Sequence, residues 1–218
     1  MSPKACLVGA VLAGGRSRRM GAAKGGMPLP DGRTLGQAAA DALAPLCPGG
    51  VVVLGHGEGL PDALPRIADL RPGEGPLAGL EALLASGRGE AYLVCPCDLP
   101  GLTPDALRPL AEAVVGGSDP PGALLHVYDD GAGRMHLPLA LRARALPAIS
   151  ALLERGERRL GALRGAVTAA LIPPDPALAP QLRGANTPEE LLALTGSPSG
   201  EPRRRGSSAS DPQAPSGS

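Results

Sequence analysis

The sequence predicts an α/β protein built on a mostly parallel sheet, and three observations carry that prediction. Short apolar runs recur at 5–13 (ACLVGAVLA), 51–54 (VVVL), 91–95 (AYLVC), 123–127 (ALLHV) and 167–172 (VTAALI). They are continuous rather than alternating, the pattern of strands buried on both faces. Segments of helical period lie between them, and strand alternating with helix implies a parallel sheet covered by helices.

Taken in order, the first run stops at Gly14 and Gly15. The segment 34–46 (TLGQAAADALAPL) then places Leu35, Ala38, Ala42 and Leu46 on one side of a helix. After the 51–54 run, Asp69 ends another short apolar stretch in IADLRPGEGPLAG. A helix over 75–87 opens with Pro76 near its first turn, where a missing N–H costs nothing. The helix at 103–114 begins with a Thr103 cap, Pro104 at the first helical position and Asp105 beside the positive end of the dipole. TPEELLAL (187–194) repeats the device, with Thr187 and Glu190 at capping-box spacing. From Ser197 onward almost nothing apolar remains to offset ordering entropy, so residues 1–196 are expected to form one domain and 197–218 a disordered tail.

Composition excludes several classes of function. Basic and acidic residues balance at 21 each, which removes the electrostatic footprint of a protein that holds long nucleic acid. No basic segment leads into a long apolar run, and no window approaches about 18 uninterrupted apolar residues, so neither secretion nor membrane spanning is expected and a cytoplasmic location follows. Cys95 and Cys97 form a C-x-C pair inside an apolar run without nearby histidines, so Cys6, Cys47, Cys95 and Cys97 read as buried thiols rather than zinc ligands.

Parallel sheets bind ligands beyond the carboxyl ends of their strands, so the loops leaving strands carry the chemistry. The first strand runs into AGGRSRRMGAAK, where Gly14 and Gly15 let backbone N–H groups approach a polyphosphate and Arg16, Arg18, Arg19 and Lys24 follow. It is not a Walker A loop, because no Ser or Thr follows Lys24 to meet magnesium, and it does not fit G-x-G-x-x-G. Lysine occurs only at positions 4 and 24 among those 21 basic residues, so this loop keeps an ammonium group in a chain that otherwise uses arginine. A compact charge on a flexible stem can follow a phosphate through a reaction better than a planar guanidinium can. The strand in AYLVCPCDLP ends in Asp98, a carboxylate placed to hold Mg2+, which keeps several waters and needs one or two protein oxygens. Asp69 is the natural second carboxylate or nucleotide contact, although an ordinary loop aspartate fits the spacing equally well.

The motifs LAGGRSRRMGAAK, DLRPGEGPLAG, CPCDLP, GERRL and NTPEEL occur in the order and at roughly the intervals seen in molybdenum cofactor guanylyltransferases, and over about residues 7–194 the chain resembles that family. The resemblance implies a Rossmann-like, three-layer nucleotidyltransferase fold and a cytoplasmic enzyme with Mg2+ as cofactor. The implied reaction joins GMP from GTP to molybdenum-bearing molybdopterin, giving the guanine dinucleotide cofactor and pyrophosphate. Its implied partners are proteins that deliver molybdopterin and chaperones of molybdoenzymes. By position, Leu12, Ala13, Gly14 and Gly15 would contact the nucleotide through their backbones, Lys24 the phosphates, Asp69 the nucleoside and Asp98 the metal. Asn186, the only asparagine of the chain, would lie on the pterin side, and from the charges of the loop Arg16, Arg18 or Arg19 would accompany pyrophosphate. The chain departs from the family at Leu54, where such enzymes often carry Asn, with Gly55 and His56 following.

Joining two anionic phosphates demands alignment and charge neutralisation rather than a covalent enzyme intermediate, so His56 and His136 need not act as bases. A cytidylyltransferase of the same fold and a non-catalytic nucleotide-binding module remain as alternatives.

Overall fold

The apolar runs become strands of one sheet. The computed structural model describes residues 6–13, 24–55, 57, 59–117, 120–129, 131 and 135–196. Its strands are β1 (Leu7–Leu12), β2 (Val51–Leu54), β3 (Arg66–Ile67), β4 (Ala91–Pro96), β5 (Leu125–Tyr128), β6 (Leu139–Arg142) and β7 (Ala169–Ile172), in the spatial order β3-β2-β1-β4-β6-β5-β7. β6 runs antiparallel to β4 and β5, while every other pairing is parallel, so six carboxyl ends share one edge. The helices are α1 (Leu35–Leu43), α2 (Pro76–Ala85), α3 (Pro104–Gly116), α4 (Leu146–Glu154), α5 (Leu163–Ala166) and α6 (Pro188–Thr195).

Alternate residues of the central strands enter opposite cores. Leu7 and Val11 of β1 with Leu93 and Cys95 of β4 pack against α1 and α3, whereas Val8 and Ala10 with Tyr92 and Val94 pack against α2 and α4. The result is the expected three layers, helices over both faces of a mostly parallel sheet.

Several sequence expectations need correction. The strands at 5–13, 123–127 and 167–172 are shorter or shifted, because only the ladder-paired part of each apolar run is extended. The α1 helix ends at Leu43, and its last stretch is a 3-10 turn, Ala44–Leu46, containing Pro45. β3, β6 and α4 were not legible. β3 is two residues long, β6 is four residues directly after Pro138, and α4 has Pro147 in its first turn, where proline reads as a break in sequence. Cys47, Cys95 and Cys97 are buried as expected, but Cys6 is exposed because it precedes the first ladder residue. The expected disordered tail, 197–218, lies outside the described residues. No helix among the described residues is long and apolar enough to cross a membrane.

Candidate active site

The strand order reverses between β1 and β4: β2 and β3 extend the sheet on one side of β1, and the chain then returns to lay β4 on the other. Ligands of open α/β sheets bind in the crevice beyond the carboxyl ends at such a reversal. The segments that follow β1 and β4 carry Lys24 and Asp98.

Lys24 opens a single 3-10 turn, Lys24–Gly26. Its Nζ donates to Asp98 Oδ2 at 3.0 Å and to Asn186 Oδ1 at 2.8 Å, joining residues 74 and 162 positions apart. The Lys24 and Asp98 side chains are 21% and 24% exposed, so water screens the pair and it adds little stability, but its charged atoms stay open to a ligand. Burial pushes the neighbouring Cys97 thiol up to about 11, with the Asp98 charge adding to it, so it stays protonated at neutral pH.

Each member of the cluster is held from behind. The Ala185 N–H donates to the Asp98 carbonyl at 2.9 Å, bringing the segment that leads to Asn186 against the end of β4. Leu191 and Ala185 pack with Leu29, Leu35 and Ala38, which docks α6 beside the start of α1. Thr187 caps α6 by accepting from the Glu190 N–H. Glu190, however, accepts from the Asn186 N–H at 2.6 Å, so the carboxylate expected to close a capping box fixes the backbone of Asn186.

Lys24 is placed by a contact that sequence reasoning missed. Gly59 has φ +82°, and a Cβ there would stand 2.1 Å from Gly26 Cα and 2.5 Å from Gly25 C. Only a residue without a side chain lets the Lys24 turn lie so close. Thr34 Oγ1 donates to the Gly59 carbonyl and caps α1 from the other side. The signal in the sequence was the density of glycine in GHGEGL, which reads equally well as an ordinary turn.

A second group forms around Gly79 of α2. A Cβ on Gly79 would lie 3.4 Å from Leu12 Cδ1, 3.7 Å from Asp69 Oδ1 and 4.0 Å from Leu54 Cδ1. Leu12 and Asp69 therefore meet over the first turns of α2. The Leu54 side chain is fully buried in the α2 core and offers no hydrogen bond, while its carbonyl accepts from the Ala13 N–H at 2.9 Å. Gly14, Gly15, Arg16, Arg18, Arg19 and His56 lie outside the described residues. His136 stands with Tyr128, Asp129, Leu137 and Leu182 around a cavity of about 230 Å³ beyond the ends of β5 and β7. Among the described residues no group of three or more His, Cys, Asp or Glu could hold a metal ion.

A doubly covered sheet with a lysine, a carboxylate and an amide converging at its strand-order reversal defines an α/β protein of the nucleotide-binding transferase class. The chain belongs to the MobA-like NTP transferase domain family, whose sequence model matches residues 9–169. A Methanothermobacter thermautotrophicus protein named "probable molybdenum cofactor guanylyltransferase" is 35% identical over 192 residues, covering 84% of this chain and 95% of its own. In fold the chain is similar to molybdopterin-guanine dinucleotide biosynthesis protein A from Archaeoglobus fulgidus, with a TM-score of 0.67 at 21% identity over 86% of this chain and 96% of that one. It is also similar to 2-C-methyl-D-erythritol 4-phosphate cytidylyltransferase from Thermus thermophilus, with a TM-score of 0.59 at 16% identity over 85% and 96% of the two chains. The same architecture thus serves enzymes that use different bases, and base choice rests on the site.

Proposed function

We propose that the protein transfers GMP from GTP to molybdenum-bearing molybdopterin, forming the guanine dinucleotide cofactor and releasing pyrophosphate. The observation that carries this reading is the convergence of Lys24, Asp98 and Asn186 at the strand-order reversal. The 35% identity to a relative bearing the guanylyltransferase name supports the choice of reaction.

The reaction joins a terminal phosphate to the α-phosphate of GTP, so the protein must hold two anions in line and offset their repulsion. Lys24 suits this task because its ammonium is already desolvated on one side by Asp98 and Asn186 and keeps a flexible stem. Exchanging those partners for phosphate oxygens costs it little. Asp69 over Gly79 faces the nucleoside, and Leu12 forms the apolar floor there. Arg16, Arg18 or Arg19 would accompany the departing pyrophosphate. The segment closing the cavity beside His136 runs through Leu182 into Ala185 and Asn186, which supports Asn186 as the contact on the pterin side.

Asp98 fits a Mg2+ ion of the kind that takes one protein carboxylate and completes its shell with water and phosphate oxygens. Its partial exposure leaves the carboxylate open to such an ion. When bound, Mg2+ supplies charge neutralisation at the phosphates. Purified protein given GTP, Mg2+ and molybdenum-bearing molybdopterin should yield the guanine dinucleotide by mass spectrometry with one pyrophosphate per product. Pyrophosphate release that is independent of the pterin would contradict the assigned acceptor.

A further inference from the structure

Helix α2 poses a problem that phosphate transfer does not answer. Residues 77–84 are all buried, yet Glu81 stands among them at 4% exposure. Its carboxylate accepts from Arg71 Nε at 2.9 Å and Arg71 Nη2 at 3.3 Å, and from Ser150 Oγ of α4 at 2.7 Å. Burial raises the pKa of Glu81, but the bonds from Arg71 and Ser150 outweigh it and leave the group below the usual carboxylate range. The Arg71 side chain is 34% exposed, so the pair is only half-buried, and it is a weak source of stability because desolvation of Glu81 and solvent screening of Arg71 offset its attraction.

What the pair supplies is position. Arg71 lies two residues beyond Asp69, and Glu81 two beyond Gly79, the residue over which Asp69 stands. The bidentate grip therefore staples the loop that carries Asp69 to the helix that carries Gly79. A second tie holds the far end of that loop, where Arg158 Nη2 lies 3.0 Å from Glu74 Oε1, just before Gly75 at the N-cap of α2. DLRPGEGPLAG and GERRL, distant in sequence, are joined by that contact.

We infer that Arg71, Glu81 and Ser150 form a positioning network that sets the Asp69 carboxylate for the nucleoside half of the triphosphate. The inference rests on the reading of Asp69 as a nucleoside contact. None of the three touches the substrate; they act through the loop, so their loss weakens nucleotide binding and leaves turnover at saturation nearly intact.

The test is calorimetric titration of the full chain with GTP and Mg2+, together with KM and kcat. Asp69→Asn should weaken GTP binding at least tenfold; wild-type affinity there would overturn the nucleoside reading and the inference with it. The double variant Arg71→Met/Glu81→Leu replaces the ion pair by apolar side chains and should keep the wild-type Tm within a few degrees. It should nevertheless weaken GTP binding and raise KM about tenfold, with kcat changed less than twofold. If Asp69→Asn loses affinity while the double variant binds GTP like wild type, the pair serves packing alone and the network is refuted. Should the double variant fail to fold, Ser150→Ala decides in its place: a Kd about threefold weaker supports the network, and an unchanged Kd overturns it.

Discussion

Adding one methyl group at Gly59 tests how the Lys24 turn is placed. Gly59→Ala combines two penalties. The residue sits at φ +82°, where an L side chain costs about 1–2 kcal/mol, and its Cβ would lie 2.1 Å from Gly26 Cα, a backbone atom that cannot rotate away. Relieving that overlap requires a shift of the Lys24–Gly26 turn, and overpacking of this kind adds about 1–3 kcal/mol. Gly73 supplies the control, because it has the same φ, +82°, with nothing within 4 Å of a built Cβ. Gly73→Ala should therefore lose only the conformational part, and Gly59→Ala about 2–5 kcal/mol in all. Urea unfolding of the two variants measures the difference directly, and calorimetry with GTP should show Gly59→Ala alone losing affinity as Lys24 leaves Asp98 and Asn186. Equal destabilisation of the two variants, with wild-type GTP binding in Gly59→Ala, would refute the reasoning.

Other consequences are as specific. Asp98→Asn keeps the shape and loses the charge a hard cation needs, so the fold should survive while Mg2+-dependent turnover disappears; wild-type rates would remove Asp98 from the metal. Gly79→Ala meets only ordinary contacts, 3.4 Å to Leu12 and 3.7 Å to Asp69, so it should unfold at or above the wild-type urea midpoint while occupying the floor beside Asp69 and weakening GTP binding. His126 is fully buried, and burial followed by the nearby Arg142 lowers its pKa to about 4. The unfolded chain then takes up the proton first as pH falls below about 6.5, and about 2 kcal/mol of stability should be lost between pH 7 and pH 5. Urea midpoints of wild type and His126→Gln across that range check it, since the variant should show no such slope. Alkylation of the native chain at pH 8 should label Cys6 alone, because burial pushes Cys47 up to about 12 and Cys97 up to about 11; rapid labelling of a second thiol would contradict the burial.

The residues that converge in the candidate cluster stood out in the sequence because they are local exceptions to the chain's own composition. Lys24 is a lysine among arginines, Asn186 is the only asparagine, and Asp98 is a charge at the end of an apolar strand. The strand-helix alternation carried the layers of the fold for the same reason, since β1, β2 and β4 are buried on both faces and read as continuous apolar runs. What escaped were features defined by tertiary proximity. Nothing in the sequence tells that Gly59 backs onto Gly26, that Arg71 grips Glu81, or that the Leu54 side chain turns into the α2 core. The antiparallel β6 was hidden because four residues between Pro138 and the turn at Ala143 carry too short a pattern to distinguish strand from helix.

Base choice tests the central claim most directly. A site that pairs the edge of guanine leaves buried groups unpaired when a pyrimidine enters, which costs about 1–3 kcal/mol per group, so two such groups at about 2 kcal/mol each favour GTP over CTP roughly a thousandfold and a single one at least severalfold. Turnover with molybdenum-bearing molybdopterin and Mg2+, GTP and CTP competing in one reaction and the two dinucleotide products separated by mass, measures that ratio. The account predicts the guanine dinucleotide in at least tenfold excess; equal yields, or an excess of the cytosine form, would contradict it.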